Sequence, residues 1–593
     1  MFTDEIPHRV GLNLGHNGAI FLISQNGHQT RLEEEKVIQQ KGYYGFPREA
    51  AMLVREELKS ASSLKLFVGG TQVQEYFPSH RLLRKFFGGS SFFDYHYLIF
   101  DFVKFLFPHT KVLHRTLRVH LTRKLNHFFG KPSEVTFVDH HTAHAYSAVL
   151  DSGFDKAIVF TQDGKGDSSS GKAFLWKNSN LIEIFAQSSR ESLGLIYGAV
   201  TKAIGFKQLR HEGKITGLAA FGKVDAGLLE AIAKTRNDLL GREKLNKDNK
   251  DPLKMGLKVW IERRILESEH LFYGDMFNFW VTFFRSRLMS ISREDVAATV
   301  QFFVEQETLR TLKNIHLQNP DFTKVALAGG LFANVKLNQR IWDSEMFSAL
   351  FVAPAMDDAG IALGSIGVDR EVVQVKPTLN EIIFRGTTDC RLDNVSDISQ
   401  FSFESDEELA DFIAESILQD KVVGTYFGNL EWGPRSLGNR SILANAFNPE
   451  ITKLLNLRLN RNDFMPFAPM ILEEDMETLF PRWSTDLIAA KFMTVTLDVN
   501  KGLSGSIPSV VHVDGTARPQ IINAESPKVI RLALMRIKAE RGLGVCINTS
   551  FNLHESPILF SIKTAIENLR LGAVDFVIGE NLMCFKKHTL ELD

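Results

Sequence analysis

The chain is poor in cysteine, in net charge and in long apolar runs, and each shortage excludes something. Only Cys390, Cys546 and Cys584 occur in 593 residues. An odd number at wide spacing fits neither a disulfide framework nor a thiolate zinc site, so a reducing cytoplasm is the expected environment. Lys and Arg total 69 against 70 Asp and Glu. No global field therefore draws the chain to nucleic acid or to an anionic membrane, and any charged ligand must be met locally. No run of 18 uncharged apolar residues occurs, and the first residues, MFTDEIPHRVGLNLGHNG, lack the basic stretch and apolar core of a signal peptide. Neither a membrane span nor a cleaved leader is expected.

What is present is ordinary globular material: 44% hydrophobic and 23% charged residues in a chain long enough for several domains. Two bodies are expected, the first bilobal. Residues 9–23, RVGLNLGHNGAIFLI, read as strand, Gly/Asn turn and strand, and residues 157–176 repeat the plan. Two glycine-bearing hairpins, each opening half of one domain, suit a duplicated actin-like or sugar-kinase-like ATPase. Such turns can present backbone N–H groups to phosphate or serve only as turns. Residues 294–317 carry helical periodicity and lead into KVALAGGLFANVKLNQR, a strand ending at Gly329 and Gly330 before a helix. Paired glycines there either admit a ligand close to the backbone or make a tight connection. LFVAPAMDDAGIALGSIG adds a strand, an acidic turn at Asp357 and Asp358, and a small-residue helix.

Periodicity is lost around Lys376 and Pro377, which divides a unit at 1–372 from one at 378–593. The second unit opens with a helix over 406–419 and the strand KVVGTYFG, and reads as another alternating α/β body. An insertion at about 76–130 begins with a Phe-dense stretch, Tyr76 to Thr110, that also holds Arg and Lys. It suits a helical insertion packed on the first lobe, or else an apolar roof over a bulky acceptor or a surface resting on lipid. Asp101 and Lys104 exclude a span.

Chemistry concentrates in VDHHTAHAYSAVL, Val138 to Leu150. His140 and His144 stand four apart, so on a helix both imidazoles project from one face, while His141 points elsewhere. Histidines at this spacing also cap helices or bond carbonyls. Asp163, at the mouth of the second hairpin, and Asp358 could complete two nitrogens and two oxygens around a divalent ion with open positions.

GLNLGHNGAIFLISQNG, LEEEK, GFPREA, DHHTAHAYSA, HEGKITGLAAFG, ALAGGLFANVKLN and APAMDDAGIALG, followed by EWGPRSLGNRSILA, FMPFAPMIL, HVDGTARPQ and INTSFN, resemble the successive motifs of the O-carbamoyltransferases of nodulation and antibiotic tailoring. The resemblance implies an α/β chain with a bilobal actin-like ATPase (ASKHA) domain, similar to the threonylcarbamoyl-transferase (Kae1-like) fold. A YrdC-like α/β domain would follow. It implies carbamoyl adenylate made from carbamoyl phosphate and ATP with Mg2+, then carbamoyl transfer to a hydroxyl or amine of a small-molecule natural product. His140, His144, Asp163 and Asp358 would hold Fe2+, or else Mn2+ or Zn2+, with Asp357 a substitute for Asp358. His16 would be the base, and Lys214 would meet phosphate. Gly329, Gly330, Asn334 and Asn338 would line the nucleotide. Arg435, Arg440 and Arg518 would grip phosphate oxygens, and Thr549, Ser550 and Asn552 would bond a carbamoyl or phosphate group. A homodimer is compatible with this picture; a nucleic-acid partner is not part of it.

The pattern breaks in LRLNRNDFMPFAP, where Leu459 and Met465 stand in place of an expected lysine and arginine, and in LHESP, where Gly-Glu-Pro is typical. Charge-assisted hydrogen bonds contribute roughly 1.5 to 3 kcal/mol each, so the loss of two weakens an anionic substrate unless other residues replace them. A same-fold transferase with another donor, or a silent nucleotide-binding relative, are the alternatives.

Overall fold

A computed structural model describes residues 7–58, 63–70, 111–130, 132–247, 269–371, 397–461, 467–580 and 582–586. The Phe-dense stretch 76–110, the connection around Lys376, Cys390 and Met465 lie outside the described residues.

The first hairpin forms as expected. β1 (His8–Asn13) and β2 (Ala19–Ile23) run antiparallel with Gly11 opposite Phe21, and β3 (Gln29–Glu33) extends them. α1 (Glu34–Val37) and α2 (Arg48–Glu57) follow. β4 (Leu64–Gly69), then α3 (Lys111–Phe129) and β5 (Glu134–Val138) complete a five-stranded sheet in the order β3-β2-β1-β4-β5, with β4 and β5 joined in parallel. β1 is buried along its whole length, so both faces of the sheet are covered.

α4 (His140–Ser152) crosses to the second half of the unit. There β6 (Lys156–Gly166), β7 (Ser169–Lys177) and β8 (Asn180–Ser188) form a meander. Four helices come next: α5 (Leu193–Ala203), α6 (Glu212–Ala219), α7 (Ala226–Lys247) and α8 (Glu269–Arg287). The long α9 (Arg293–Gln318) leads to β9 (Lys324–Ala328), α10 (Val335–Asp343), β10 (Ala349–Val352) and α11 (Gly360–Ile366). The sheet order β10-β9-β6-β7-β8 repeats the first: a hairpin with parallel strands added at one edge. The duplicated plan read from the sequence is thus present as two like sheets.

α11 locks the halves together, and its sequence explains how. A Cβ on Gly11 would stand 1.9 Å from Ala362 O, one on Gly69 1.8 Å from Ile361 Cγ2, and one on Gly364 1.7 Å from Ala143 O. Only glycine allows this short helix to lie between the first sheet and α4. The packing brings the start of α11, and with it Asp358, against the first turns of α4.

The second unit is mixed rather than regularly alternating. Its strands are β11 (Ile398–Ser402), β12 (Val423–Thr425), β13 (Ser441–Ala444), β14 (Ala468–Leu472), β15 (Leu497–Asp498), β16 (Thr516–Ala517), β17 (Gln520–Ile522), β18 (Val545–Ser550), β19 (Phe576–Gly579) and β20 (Leu582–Lys586). Eight form one sheet in the order β11-β20-β19-β12-β13-β18-β14-β17, and β15 pairs with β16. Only β12 with β19 and β14 with β17 pair in parallel. The helices are α12 (Asp406–Leu418), α13 (Ile451–Arg458), α14 (Met476–Leu479), α15 (Lys528–Arg541) and α16 (Ile562–Arg570). Apolar faces of α12 and α15 share one core with the sheet, including Leu409, Ile413, Leu534 and Ile537.

The two units meet through buried polar contacts. Lys36, 1% exposed, donates to Glu33 Oε1 at 2.8 Å and to the carbonyls of Glu431 and Gly433 at 2.8 and 2.6 Å. Three acceptors satisfy an ammonium that could not otherwise be buried. Among the described residues no helix is long and apolar enough to cross a membrane.

Candidate metal and group-transfer site

α4 starts where its sequence says it should. Asp139 caps it by accepting from Thr142 N at 2.9 Å, and Gly153 ends it in the left-handed region at φ 68°. The first residue of the helix, His140, and His144 share a face, with ring centroids 4.7 Å apart. His141 points away: its Nδ1 meets Thr161 Oγ1 at 3.0 Å and its Nε2 meets Ser169 O at 3.2 Å. Burial, with the two neighbouring histidines, pushes His141 down to about 3 and keeps it neutral.

The second hairpin supplies one wall. Its register shifts between Gln162 and Gly166, and Asp163 sits in that irregularity. Asp163 Oδ1 accepts from Gly164 N at 2.5 Å, and Oδ2 accepts from Gly330 N at 3.0 Å. Asp167 accepts from His140 N at 2.9 Å, and Gly166 leaves room for the His140 ring, since a Cβ there would lie 2.0 Å from His140 Cδ2.

His140, His144, Asp163 and Asp358 each turn one ligand atom inward, all within 4.8 Å of one another. His144 Nε2 is 3.4 Å from Asp163 Oδ2 and 3.5 Å from Asp358 Oδ1; His140 Nε2 is 4.0 and 3.7 Å from the same two oxygens. Ligands bonded at about 2.1 Å to one ion lie roughly 3 to 4 Å apart, so these spacings suit a shared divalent cation. The donor set passes a second test. His144 is fully buried, and neither ring nitrogen has a hydrogen-bond partner among the described residues. A buried imidazole in that state is explained by a ligand. Burial alone would lower His144, but the Asp163 and Asp358 carboxylates outweigh it and raise its pKa. Burial would raise Asp163, and His140 and His144 hold it well below the usual range.

Asp357 does not substitute for Asp358. Its Oδ2 accepts from Asn17 Nδ2 at 2.8 Å and its Oδ1 from Ala359 N at 3.0 Å, which ties the acidic turn to the first hairpin. Burial, then Glu33, Glu35 and Asp358, push Asp357 up to about 7. His16 lies in the same turn as Asn17, with its carbonyl accepting from Asn13 Nδ2 at 2.7 Å. The imidazole of His16 interacts with the carboxylate of Glu212, which burial raises and His16 partly lowers. Glu212 opens α6, the helix that carries Lys214, whose Nζ stands 5.8 Å from the Phe206 ring centroid.

Several expected nucleotide contacts have other employment. Gly329, at φ 99°, is required by a close approach to Gln162 O, 2.2 Å from where its Cβ would be, and its neighbour's amide serves Asp163. Asn334 caps α10 by accepting from Leu337 N at 3.1 Å and donates to Gln301 Oε1 at 2.8 Å, within a network that reaches Tyr197. Asn338 is fully buried and donates to Phe332 O and Thr494 O, both at 2.7 Å, so it joins the two units. Both asparagines spend their amide nitrogens on protein.

Arg440 is likewise committed to protein contacts. Fully buried, it donates to the carbonyls of Phe427 at 2.5 Å and Gly428 at 3.1 Å, and lies 3.6 Å above the Tyr426 ring. Asn552 also turns inward, its Nδ2 donating to Leu553 O at 3.2 Å and to Ser556 O. Arg435 and Arg518 behave differently. Burial lowers Arg435 to about 10, while Asp357 across the interface pulls it up; burial and the charge of Arg435 lower Arg518. Two buried guanidiniums, one of which the other depresses, are a pair that a bound anion would relieve.

Two cations went unread in the sequence. Arg461 donates to Thr549 Oγ1 at 2.9 Å and reaches Ser550 Oγ at 3.5 Å. Burial lowers Lys41, with Glu35 and Glu555 opposing and Arg461 and Arg435 adding to the effect, so it belongs to the same charged array. Leu459, by contrast, is fully buried in the apolar core beyond α13 and lines no polar pocket. Lys41 sits in KGYYGFP and Arg461 beside Leu459, so the signal was there but no spacing rule connects them.

Comparison with known proteins agrees with the arrangement. The carbamoyltransferase N-terminus family profile matches residues 100–366, and the carbamoyltransferase C-terminus profile matches residues 414–586. An uncharacterized protein of Methanocaldococcus jannaschii is 29% identical over 79% of this chain and 76% of its own length. Nodulation protein NolO of Bradyrhizobium diazoefficiens is 29% identical, with 75% of this chain and 78% of the relative covered. Among solved structures, full-length HypF in a phosphate- and nucleotide-bound form aligns over 62% of this chain and 56% of that one, at 14% identity and a TM-score of 0.28, a likeness too slight to define shared chemistry.

With two family profiles in tandem across most of its length, the chain belongs to the carbamoyltransferase family. It is a transferase enzyme.

Proposed function

We propose that this enzyme forms carbamoyl adenylate from carbamoyl phosphate and ATP in its second unit and transfers the carbamoyl group, in its first, to a hydroxyl or amine of a small molecule. The observation that carries the reading is the convergence of His140, His144, Asp163 and Asp358 within 4.8 Å, in a unit whose neighbouring acidic turn is attracted by Arg435 of the other.

The chemistry balances with one water: carbamoyl phosphate gives carbamate and phosphate, a carbamate oxygen attacks the α-phosphorus of ATP, and pyrophosphate leaves. In transfer the acceptor forms a bond to the carbamoyl carbon, the bond from that carbon to the phosphate oxygen breaks, AMP departs, and the acceptor's proton passes to a base. Arg435 and Arg518, with Lys41 and Arg461, supply positive charge for phosphate oxygens in the activating unit, where pentavalent negative charge develops. Thr549 and Ser550, oriented by Arg461, offer hydroxyls to the carbamoyl group. His16, in the hairpin turn that Asn17 ties to Asp357, is the base of the transfer step. Lys214 faces phosphate. His140, His144, Asp163 and Asp358 would hold a divalent ion, Fe2+ by family resemblance, which would supply positive charge for phosphate oxygens without moving a proton.

Lys41 and Arg461 answer the loss of cations at Leu459 and Met465, which favours carbamoyl phosphate as donor. Pyrophosphate release from ATP with carbamoyl phosphate added or withheld tests this. Release only on addition supports the reading. Release that needs a different acid marks a changed donor, and ATP binding without release under any condition marks a silent relative; either result contradicts it.

A further inference from the structure

Glu555 is not glycine-like, yet its backbone is. At φ 66° it occupies the left-handed region, where a side chain costs about 1 kcal/mol or more. The loop around it is pinned: His554 N donates to Leu459 O at 3.1 Å, and Asn552 Nδ2 bonds Leu553 O and Ser556 O. From this fixed turn the Glu555 carboxylate crosses to the other unit. One oxygen meets Lys207 Nζ at 2.6 Å and the other His211 Nε2 at 2.6 Å, with Arg210 Nη1 at 3.9 Å and His554 Nε2 at 3.8 Å. Lys207 and then His211 hold the carboxyl down to about 2.

The opposite side of the contact is equally committed. His211 Nδ1 accepts from Lys207 N at 3.3 Å, so its Nε2 carries the proton that is donated to Glu555. Leu209, also left-handed at φ 62°, donates its N–H to Glu212 Oε1 at 2.6 Å. Arg210 reaches back to Lys41 O at 2.6 Å. The loop 207–211 is thus wound tightly onto the start of α6, directly ahead of Glu212 and Lys214, and the Glu212 carboxylate feels the charge of His16. Two non-glycine residues held at positive φ on facing loops, joined by short ion pairs, describe a contact that the rest of each loop is bent to make.

We propose that Glu555 is a positioning residue: a carboxylate of the activating unit that fastens the 207–211 loop, and through it the Glu212 and Lys214 end of α6, in the geometry used for transfer. This deepens the function proposed above and rests on it. Activation of the donor uses Arg435, Arg518 and Arg461 besides Lys41, whose carbonyl Arg210 holds, so loss of the clasp touches activation at one cation of four and transfer at the whole Glu212 and Lys214 end of α6.

Glu555→Gly is the informative variant, because glycine relieves the left-handed backbone and the loop folds without strain. ATP–pyrophosphate exchange with carbamoyl phosphate reads activation. AMP formation with hydroxylamine as probe nucleophile, at concentrations too low to trap a free acyl adenylate, reads transfer. The expected result is exchange within about threefold of the wild type and a fall of about tenfold or more in kcat for AMP formation, with KM for ATP unchanged. Glu555→Gln keeps an acceptor for His211 Nε2 and is expected to recover part of that kcat. Parallel loss of both reactions, loss of neither, or no recovery in the Gln variant overturns the proposal. Amide exchange across residues 207–214 is the independent arm, expected to quicken about tenfold in Glu555→Gly; unchanged protection there overturns the clasp whatever the activities show. A wild-type enzyme without carbamoyl-phosphate-dependent exchange sinks the proposed function instead, and leaves the clasp to be judged by amide exchange.

Discussion

Arg435 and Arg440 stand five residues apart in one motif and do opposite things. Arg440 spends its guanidinium on the carbonyls of Phe427 and Gly428 and is fully buried, whereas the charge of Arg435 is stabilised by that of Asp357 in the other unit. Replacing Arg440 by Met should destabilise the protein by about 2 to 4 kcal/mol, because two buried acceptors lose their donor; denaturant unfolding reads it. Replacing Arg435 by Ala should leave the unfolding midpoint almost unmoved and raise KM for carbamoyl phosphate about tenfold or more through loss of a charge-assisted contact. A motif tells which residue types are present but not which neighbours consume their hydrogen bonds, and that is why the protein contacts of Arg440, Asn334 and Asn338 are not legible in the sequence. The convergence of His140 with His144 was readable because i, i+4 spacing on a helix is a geometric statement in itself. Leu459 looked like a hole in the site because its burial in the core depends on the packing around α13, which no local pattern encodes.

At the scale of the element, α11 shows how packing builds chemistry. GIALGSI reads as a small-residue helix in the sequence, and the structure uses that smallness: Gly364 lies where a Cβ would come within 1.7 Å of Ala143 O. Gly364→Ala should force α11 and α4 apart, lower stability by roughly 1 to 3 kcal/mol as overpacking does, and loosen Asp358 from His144. Its signature is a joint loss of thermal stability and divalent-metal affinity. Gly166→Ala separates the two effects, since its Cβ would meet the His140 ring alone; metal affinity should fall about tenfold or more with a smaller change in stability. The hairpins and the strand-glycine-glycine-helix element were legible because alternation and turn residues are local signals. The order of the eight-stranded sheet was not. Pairings such as β13 with β18, Ser441 opposite Ser550, join segments far apart in sequence, and the antiparallel character of the unit follows from those pairings.

At the scale of the molecule, the two units share apolar clusters, Phe351 with Phe492 among them, and are fixed by specific polar contacts that include Lys36 on the carbonyls of Glu431 and Gly433, Asn338 on Thr494, and Glu555 on Lys207 and His211. The last has a pH consequence whose sign is fixed. Glu555 has its folded pKa depressed to about 2, below the unfolded glutamate value of about 4.3. Its contribution is fully present above the unfolded value and is lost as pH falls toward 2. Amide protection of 207–211 should therefore persist from pH 7 to 5 and weaken below pH 4, more steeply in the wild type than in Glu555→Gln. The central claim is that four side chains from α4, the second hairpin and the turn before α11 share one divalent ion that serves group transfer. Metal content by elemental analysis, wild type against His144→Ala, tests it most directly. The account predicts about one divalent ion per chain in the wild type and near none in the variant, with the fold intact by circular dichroism and carbamoyl transfer lost together with the metal; a full complement of metal in His144→Ala would contradict it.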